Sequence, residues 1–160
     1  MSNAVFLDAG SNARVVLPSR VVDQMHETAR RAYPDETGGI LIGESVGNRV
    51  VVVSDATEAP PDSKSTHSTF QRGTEGLVER LAADWGSGLY YVGEWHAHPG
   101  ALPNPSCTDR RSLKATSRDA SLRCPSPILV IVGGMQGRET LAVHVHWSSG
   151  GFEALSARPA

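Results

Sequence analysis

Hydrophobic and polar positions along the chain switch between a helical period near 3.6 and a strand period of 2. A strand over about Ala13 to Leu17 leads through Pro18-Ser19 into a helix over 20–33, where Val22, Met25, Ala29 and Ala32 or Tyr33 form one apolar stripe. Thr37 to Gly43 and Arg49 to Ser54 read as strands joined at Gly47-Asn48, hence a hairpin. Residues 58–73 are the longest polar stretch and read as a loop. A helix over about Thr74 to Trp85, with Leu77, Val78 and Leu81 inward, precedes a strand ending at His98. Pro99 cannot donate to a ladder, Gly100 to Pro105 is turn-rich, and Ser106 to about Arg118 looks helical. Strands over 127–132 and 139–147 close the sheet; in the second, Leu141, Val143, Val145 and Trp147 share one face, leaving His144 and His146 on the solvated side. The expected architecture is α/β: a single-domain mixed β-sheet flanked by helices over 13–147, an N-terminal segment over 1–12 and a flexible tail over 148–160. Ser2-Asn3-Ala4 is read as a cloning remnant.

Composition narrows the function classes. At 160 residues the chain suits one domain, able to bury about two thirds of its unfolded surface. Its formal charge is -2 with the basic residues scattered, so no nucleic-acid partner is expected. No apolar run has the length of a membrane span, and Met1 to Gly10 lacks the basic and hydrophobic regions of a secretion signal. Two cysteines, Cys107 and Cys124, suit a reducing compartment, and a cytoplasmic location is expected. Cys107, at a helix start near histidines, offers a thiolate nucleophile as an alternative chemistry, but Asp109 and paired histidines have no part in that scheme.

The strongest chemical pattern is His96-Ala97-His98-Pro99 followed by Ser106-Cys107-Thr108-Asp109. Residues two apart on a strand project from one face, so His96 and His98 point together, with Glu94 behind them. Asp109 falls in the first turn of the next helix, near the strand end. Two imidazoles and a carboxylate make three zinc ligands and leave one coordination position for water, the mark of a catalytic site. The same residues have a simpler reading, in which Ser106 caps the helix and Asp109 completes a capping pair.

Together these residues resemble the JAMM motif of JAB/MPN-type zinc metalloproteases, over roughly residues 15 to 147. The resemblance implies a JAB/MPN-like, cytidine-deaminase-like topology and Zn2+ held by His96, His98 and Asp109. It also supplies an upstream glutamate: Glu36, ahead of Gly38-Gly39, would be the general base that later delivers the proton to the leaving amine. Ser106 would donate to the oxyanion. Glu94 is the competing base; Glu36 is preferred because it matches the family position, which leaves Glu94 to orient a ligand or contact substrate. Ala97 departs from the family, whose members often carry Ser or Thr there.

Gly93-Glu94-Trp95-His96 is closer to bacterial JAB proteins, including those of cyclic-oligonucleotide antiphage defence operons. The implied function is an isopeptidase or peptidase cutting the amide after the C-terminal tail of a ubiquitin-like modifier or similarly conjugated protein, with residues 58–73 gripping that tail. Alternatives are a processing protease for a sulfur-carrier protein and a non-catalytic MPN scaffold. A zinc deaminase would need a Pro-Cys-x-x-Cys ligand pair, which Cys107 and Cys124 do not make.

Overall fold

The helical stripe and the β-rich runs assemble around one apolar interior. The structure is a computed structural model describing residues 3–7, 10, 12–47 and 49–158. In chain order the elements are β1 (Asn3–Leu7), β2 (Arg14–Pro18), α1 (Ser19–Ala32), β3 (Gly38–Val46), β4 (Val50–Ala56), β5 (Lys64–Ser65), β6 (Phe70–Gln71), α2 (Leu77–Gly86), β7 (Tyr90–Pro99), α3 (Cys107–Arg118), β8 (Ile128–Gly134), β9 (Thr140–His146) and β10 (Phe152–Ala157). The β3–β4 hairpin forms as expected; Asn48 of its turn, like Ser2, lies outside the described residues.

The sheet is mixed and its eight strands close into a barrel in the order β1-β10-β9-β8-β7-β3-β4-β2. The mixed sheet flanked by helices is as expected; its closure into a barrel is not part of that expectation. The two terminal segments make the difference: β1 pairs antiparallel with both β2 and β10, and β10 pairs with β9. Asn3 and Ala4 therefore sit in a barrel strand, and Phe152–Ala157 is a strand where a flexible tail is expected. Closure satisfies backbone groups that two open edges would leave exposed.

Three apolar clusters organise the packing. The barrel interior gathers Leu17, Trp95, Val130 and Val143, and α1 adds Val21, Met25 and Ala29 to it. Val21, rather than Val22, is the fully buried start of the α1 stripe. Outside the barrel, Leu77 and Leu81 of α2 pack on Ile40, Ile42 and Tyr91, while Val78 is 76% exposed, against the expectation that it points inward. On another outer face Leu113 of α3 packs on Leu129 and Ile131, with Phe152 beside them. That cover buries His144 and His146, which are therefore not on a solvated side; the His144 ring stacks on Phe152 at 5.3 Å. Alternation along β9 correctly separates the two faces, but the outer one is roofed by α3 and β10. Among the described residues, no helix is long and apolar enough to cross a membrane.

Candidate metal centre

Strand β7 carries the two histidines on its outer face while Trp95 and Ala97 point into the barrel core. The departure at Ala97 thus lies on the opposite face from His96 and His98, where a lost side-chain hydrogen bond cannot touch either imidazole. A bulge near Gly93, with its φ of 156°, shifts the β3–β7 register and brings Tyr91 and Glu94 to one face. Strands β7 and β8 run parallel, so the chain between them must cross over, and α3 lies in that connection. The crossover places the start of α3 next to the end of β7.

Among the described residues, His96, His98 and Asp109 form a group whose ligand atoms all lie within 4.8 Å of one another. His96 Nε2 is 3.3 Å from Asp109 Oδ1, and His98 Nε2 is 3.6 Å from Asp109 Oδ2. His96 Nε2 is buried with no hydrogen-bond partner, which a protein tolerates poorly unless the atom serves another purpose. Two neutral imidazole nitrogens and a carboxylate oxygen fit zinc in donor type and number, with one position left over. His98 titrates below its ordinary value, first because it is buried and then because His96 is adjacent; Asp109 and hydrogen bonding with the Leu102 and Asn104 backbone pull the other way. A neutral imidazole is the form that binds metal.

Asp109 and Ser106 also satisfy the simpler reading. Ser106 caps α3 and accepts the Asp109 N–H at 3.0 Å, while Asp109 Oδ2 accepts the Ser106 N–H at 2.6 Å. The capping bond from the Asp109 N–H uses Ser106 Oγ as an acceptor and does not itself consume the hydroxyl proton, and the residue is exposed. Cap and oxyanion donor are therefore compatible.

Glu36 reaches this centre through β3. Gly38 pairs with His96, and the Ala97 N–H donates to the Thr37 carbonyl at 2.8 Å, which brings the residue before Thr37 alongside the histidine strand. Its carboxyl is raised by burial; the His96 charge lowers it and that of Asp109 raises it, so Glu36 lies within electrostatic reach of both. Close approach explains the double glycine. A Cβ on Gly38 would come 2.3 Å from the Trp95 carbonyl oxygen, and one on Gly39 would come 2.1 Å from the Thr57 carbonyl oxygen. Thr57 O also accepts Trp95 Nε1–H, and Thr57 Oγ1 accepts the Ile40 N–H. Gly39→Ala is expected to cost about 1–3 kcal/mol by overpacking this junction, measured as a lowered urea midpoint with unchanged slope.

Glu94 is spoken for. Arg72 forks onto both its oxygens, at 2.8 and 3.3 Å, and the Tyr91 hydroxyl donates to it at 3.1 Å. Arg72 and the Thr66 carbonyl, which accepts the Glu36 N–H at 2.8 Å, are the site-positioning groups that sequence reasoning missed. Both come from the 58–73 segment, which is no plain loop: β5 and β6 form a two-stranded hairpin inside it. Nothing local marks either residue, since a lone Arg and a Thr in a polar stretch have no period.

Acid should loosen the metal-free protein. Burial by itself would raise Asp109, but His96 and the Ser106 hydrogen bonds prevail and hold it at about 2, below its usual 3.8. Glu139, bonded first by Arg30, is likewise held at about 2, below 4.5. Both folded-state values are depressed, so the stability they contribute is present above the usual values and is lost as pH falls through 4 towards 2. Urea midpoints measured in chelator across that window should decline steadily.

Comparison with known proteins bears on this geometry. Residues 18–146 match the family described as prokaryotic homologs of the JAB domain. A protein of Enterobacter hormaechei subsp. hoffmannii named CD-NTase/cGAS isopeptidase is 40% identical over 135 residues, spanning 84% of this chain and 75% of that protein. A protein of Sinorhizobium fredii named "Probable metalloprotease y4qB" is 30% identical over 122 residues, spanning 74% of each. The solution structure of a Desulfitobacterium hafniense protein superposes with a TM-score of 0.63 at 19% identity, over 84% of this chain and 85% of that one, a likeness of fold alone.

Proposed function

The chain belongs to the prokaryotic JAB-domain family, and from that premise we propose that it is a JAMM-type zinc isopeptidase, hydrolysing the amide that joins the C-terminal tail of a conjugated protein to its partner. The observation that carries this reading is the convergence of His96, His98 and Asp109 beside Glu36 and Ser106. The names of the relatives direct attention to CD-NTase/cGAS-type conjugates as the substrate; the defence setting and the cytoplasmic location belong to this proposal through the family resemblance of the sequence. The domain that does this runs over residues 13–147, completed by the barrel strands on either side of it.

Each residue has a physical task. His96, His98 and one Asp109 oxygen would hold the metal, and zinc in that place supplies Lewis acidity and a water that deprotonates near neutral pH. The Glu36 carboxylate takes a proton from the attacking water and passes it to the leaving nitrogen. Its upward shift moves it towards the range where a base is effective. Ser106 Oγ–H donates to the carbonyl oxygen as charge develops. Glu94, tied to Arg72 and Tyr91, keeps the outer face of β7 in register with the 58–73 segment.

Barrel closure changes how an extended tail can bind. Among the described residues the barrel has no open edge, so strand addition falls to the β5–β6 hairpin, whose Thr66 already holds the backbone of Glu36. The direct test mixes the purified protein with a CD-NTase joined through its C-terminus to a second protein. Release of the free CD-NTase, together with near-stoichiometric zinc and inhibition by a chelator, is the expected result. A folded protein that takes up no zinc and leaves the conjugate intact would overturn the proposal.

A further inference from the structure

Helix α3 begins at the metal centre and continues away from it with a row of cations. Arg110, Lys114 and Arg118 recur at every fourth position and are exposed. They border a groove of about 620 Å³ whose far side is formed by His146 and the Gly150-Gly151 turn. Among the described residues, none of those lining it is Asp or Glu. The nearest carboxylates in sequence are engaged elsewhere: Asp109 faces His96 and His98, Asp119 accepts from Ser121, and Glu153 accepts from Trp147 Nε1. In a chain of net charge -2, the fully charged residues that line this groove are thus all cations.

We propose that this face of α3 docks an acidic, extended segment of the conjugated substrate adjoining the amide to be cut. The identity of the partner rests on the isopeptidase reading; the charge and shape of the groove do not. Four helical residues rise about 6 Å, and two strand residues advance about 6.6 Å. Acidic side chains at alternate positions of an extended peptide therefore meet successive cations along the row. A single phosphate would instead need donors that converge on one point, and these are spread over about 12 Å of helix. Single-stranded nucleic acid has a similar charge spacing but binds through aromatic platforms. Phe152, which lines this groove, has the Arg110 guanidinium over its ring at 4.5 Å and the His144 ring stacked at 5.3 Å, so its ring is already engaged within the protein. The row starts one residue beyond Asp109, so a segment lying along it continues into the metal centre.

The test uses binding, separate from cleavage. A short fluorescein-labelled peptide alternating Glu and Ser is titrated by anisotropy with the Glu36→Gln protein, with pyrophosphate and single-stranded oligothymidylate as competitors. Expected are saturable binding that weakens with salt, poor competition by both competitors, and a loss of roughly tenfold or more in the Lys114→Glu, Arg118→Glu double variant at unchanged Tm. If charge reversal unfolds the protein, Lys114→Gln with Arg118→Gln supplies the same readout with a smaller loss. No saturable binding, equal binding by the double variant, or tighter binding of either competitor would overturn the proposal. Peptide binding that persists while the unmutated protein fails to cut any conjugate supports the groove and removes the enzymatic reading alone. Intact cleavage without peptide binding does the reverse.

Discussion

Glu36→Gln is expected to lower kcat by about 10²–10⁴-fold while zinc content and thermal stability stay close to those of the unmutated protein. Gln keeps the shape and can still accept a hydrogen bond, but it cannot take a proton from water. Because Glu36 is raised by burial and by Asp109, its removal should also erase the acid limb of the pH–rate profile. Glu94→Gln is the necessary companion. That carboxylate is already held by Arg72 and Tyr91 within the protein, so its loss should act by loosening β7 and cost far less in rate. Comparable losses in the two variants, each with full zinc, would refute the assignment of Glu36 as the base.

Asp109→Asn should lose metal outright. The substitution preserves an acceptor for the Ser106 N–H and hence most of the cap, but removes the charge facing His96 and His98. An outer partner of a zinc ligand typically matters by about 10–100-fold in affinity, and a direct ligand should exceed that, leaving the dialysed protein without zinc and without activity. Linkage offers a readout independent of cleavage. Added zinc should raise the Tm of the unmutated protein and leave that of the variant unmoved. If Asp109→Asn retains zinc as tightly as the unmutated chain, Asp109 is a cap alone.

How legible each feature is in the sequence depends on how local it is. His96 and His98 share a face because strands alternate, and Asp109 enters a first turn because Ser106 caps it; these are consequences of a few neighbouring residues. Glu36 is different. Sixty residues separate it from His96, its role came from family resemblance, and it is the β3–β7 pairing that brings it there. His144 and His146 show the converse: alternation along β9 assigns them to one face, but the cover that α3 and Phe152 place over that face leaves no local mark in the sequence. The segments Asn3–Leu7 and Phe152–Ala157 are short, with little pattern of their own. They become strands because each finds a partner on both sides.

By itself, then, the sequence determined the single mixed α/β domain, the helices, most of the strands, the shared face of the two histidines and the cap at Ser106, since all of these follow from backbone geometry acting over one or two turns. Tertiary structure alone decided that the sheet closes, that α3 and Phe152 cover His144 and His146, that Glu94 is occupied by Arg72, and that the cations of α3 border a groove shared with His146 and the Gly150-Gly151 turn. Those outcomes depend on which distant surfaces meet, and contact between remote segments is set by the packing of the whole chain, where local periodicity carries no information.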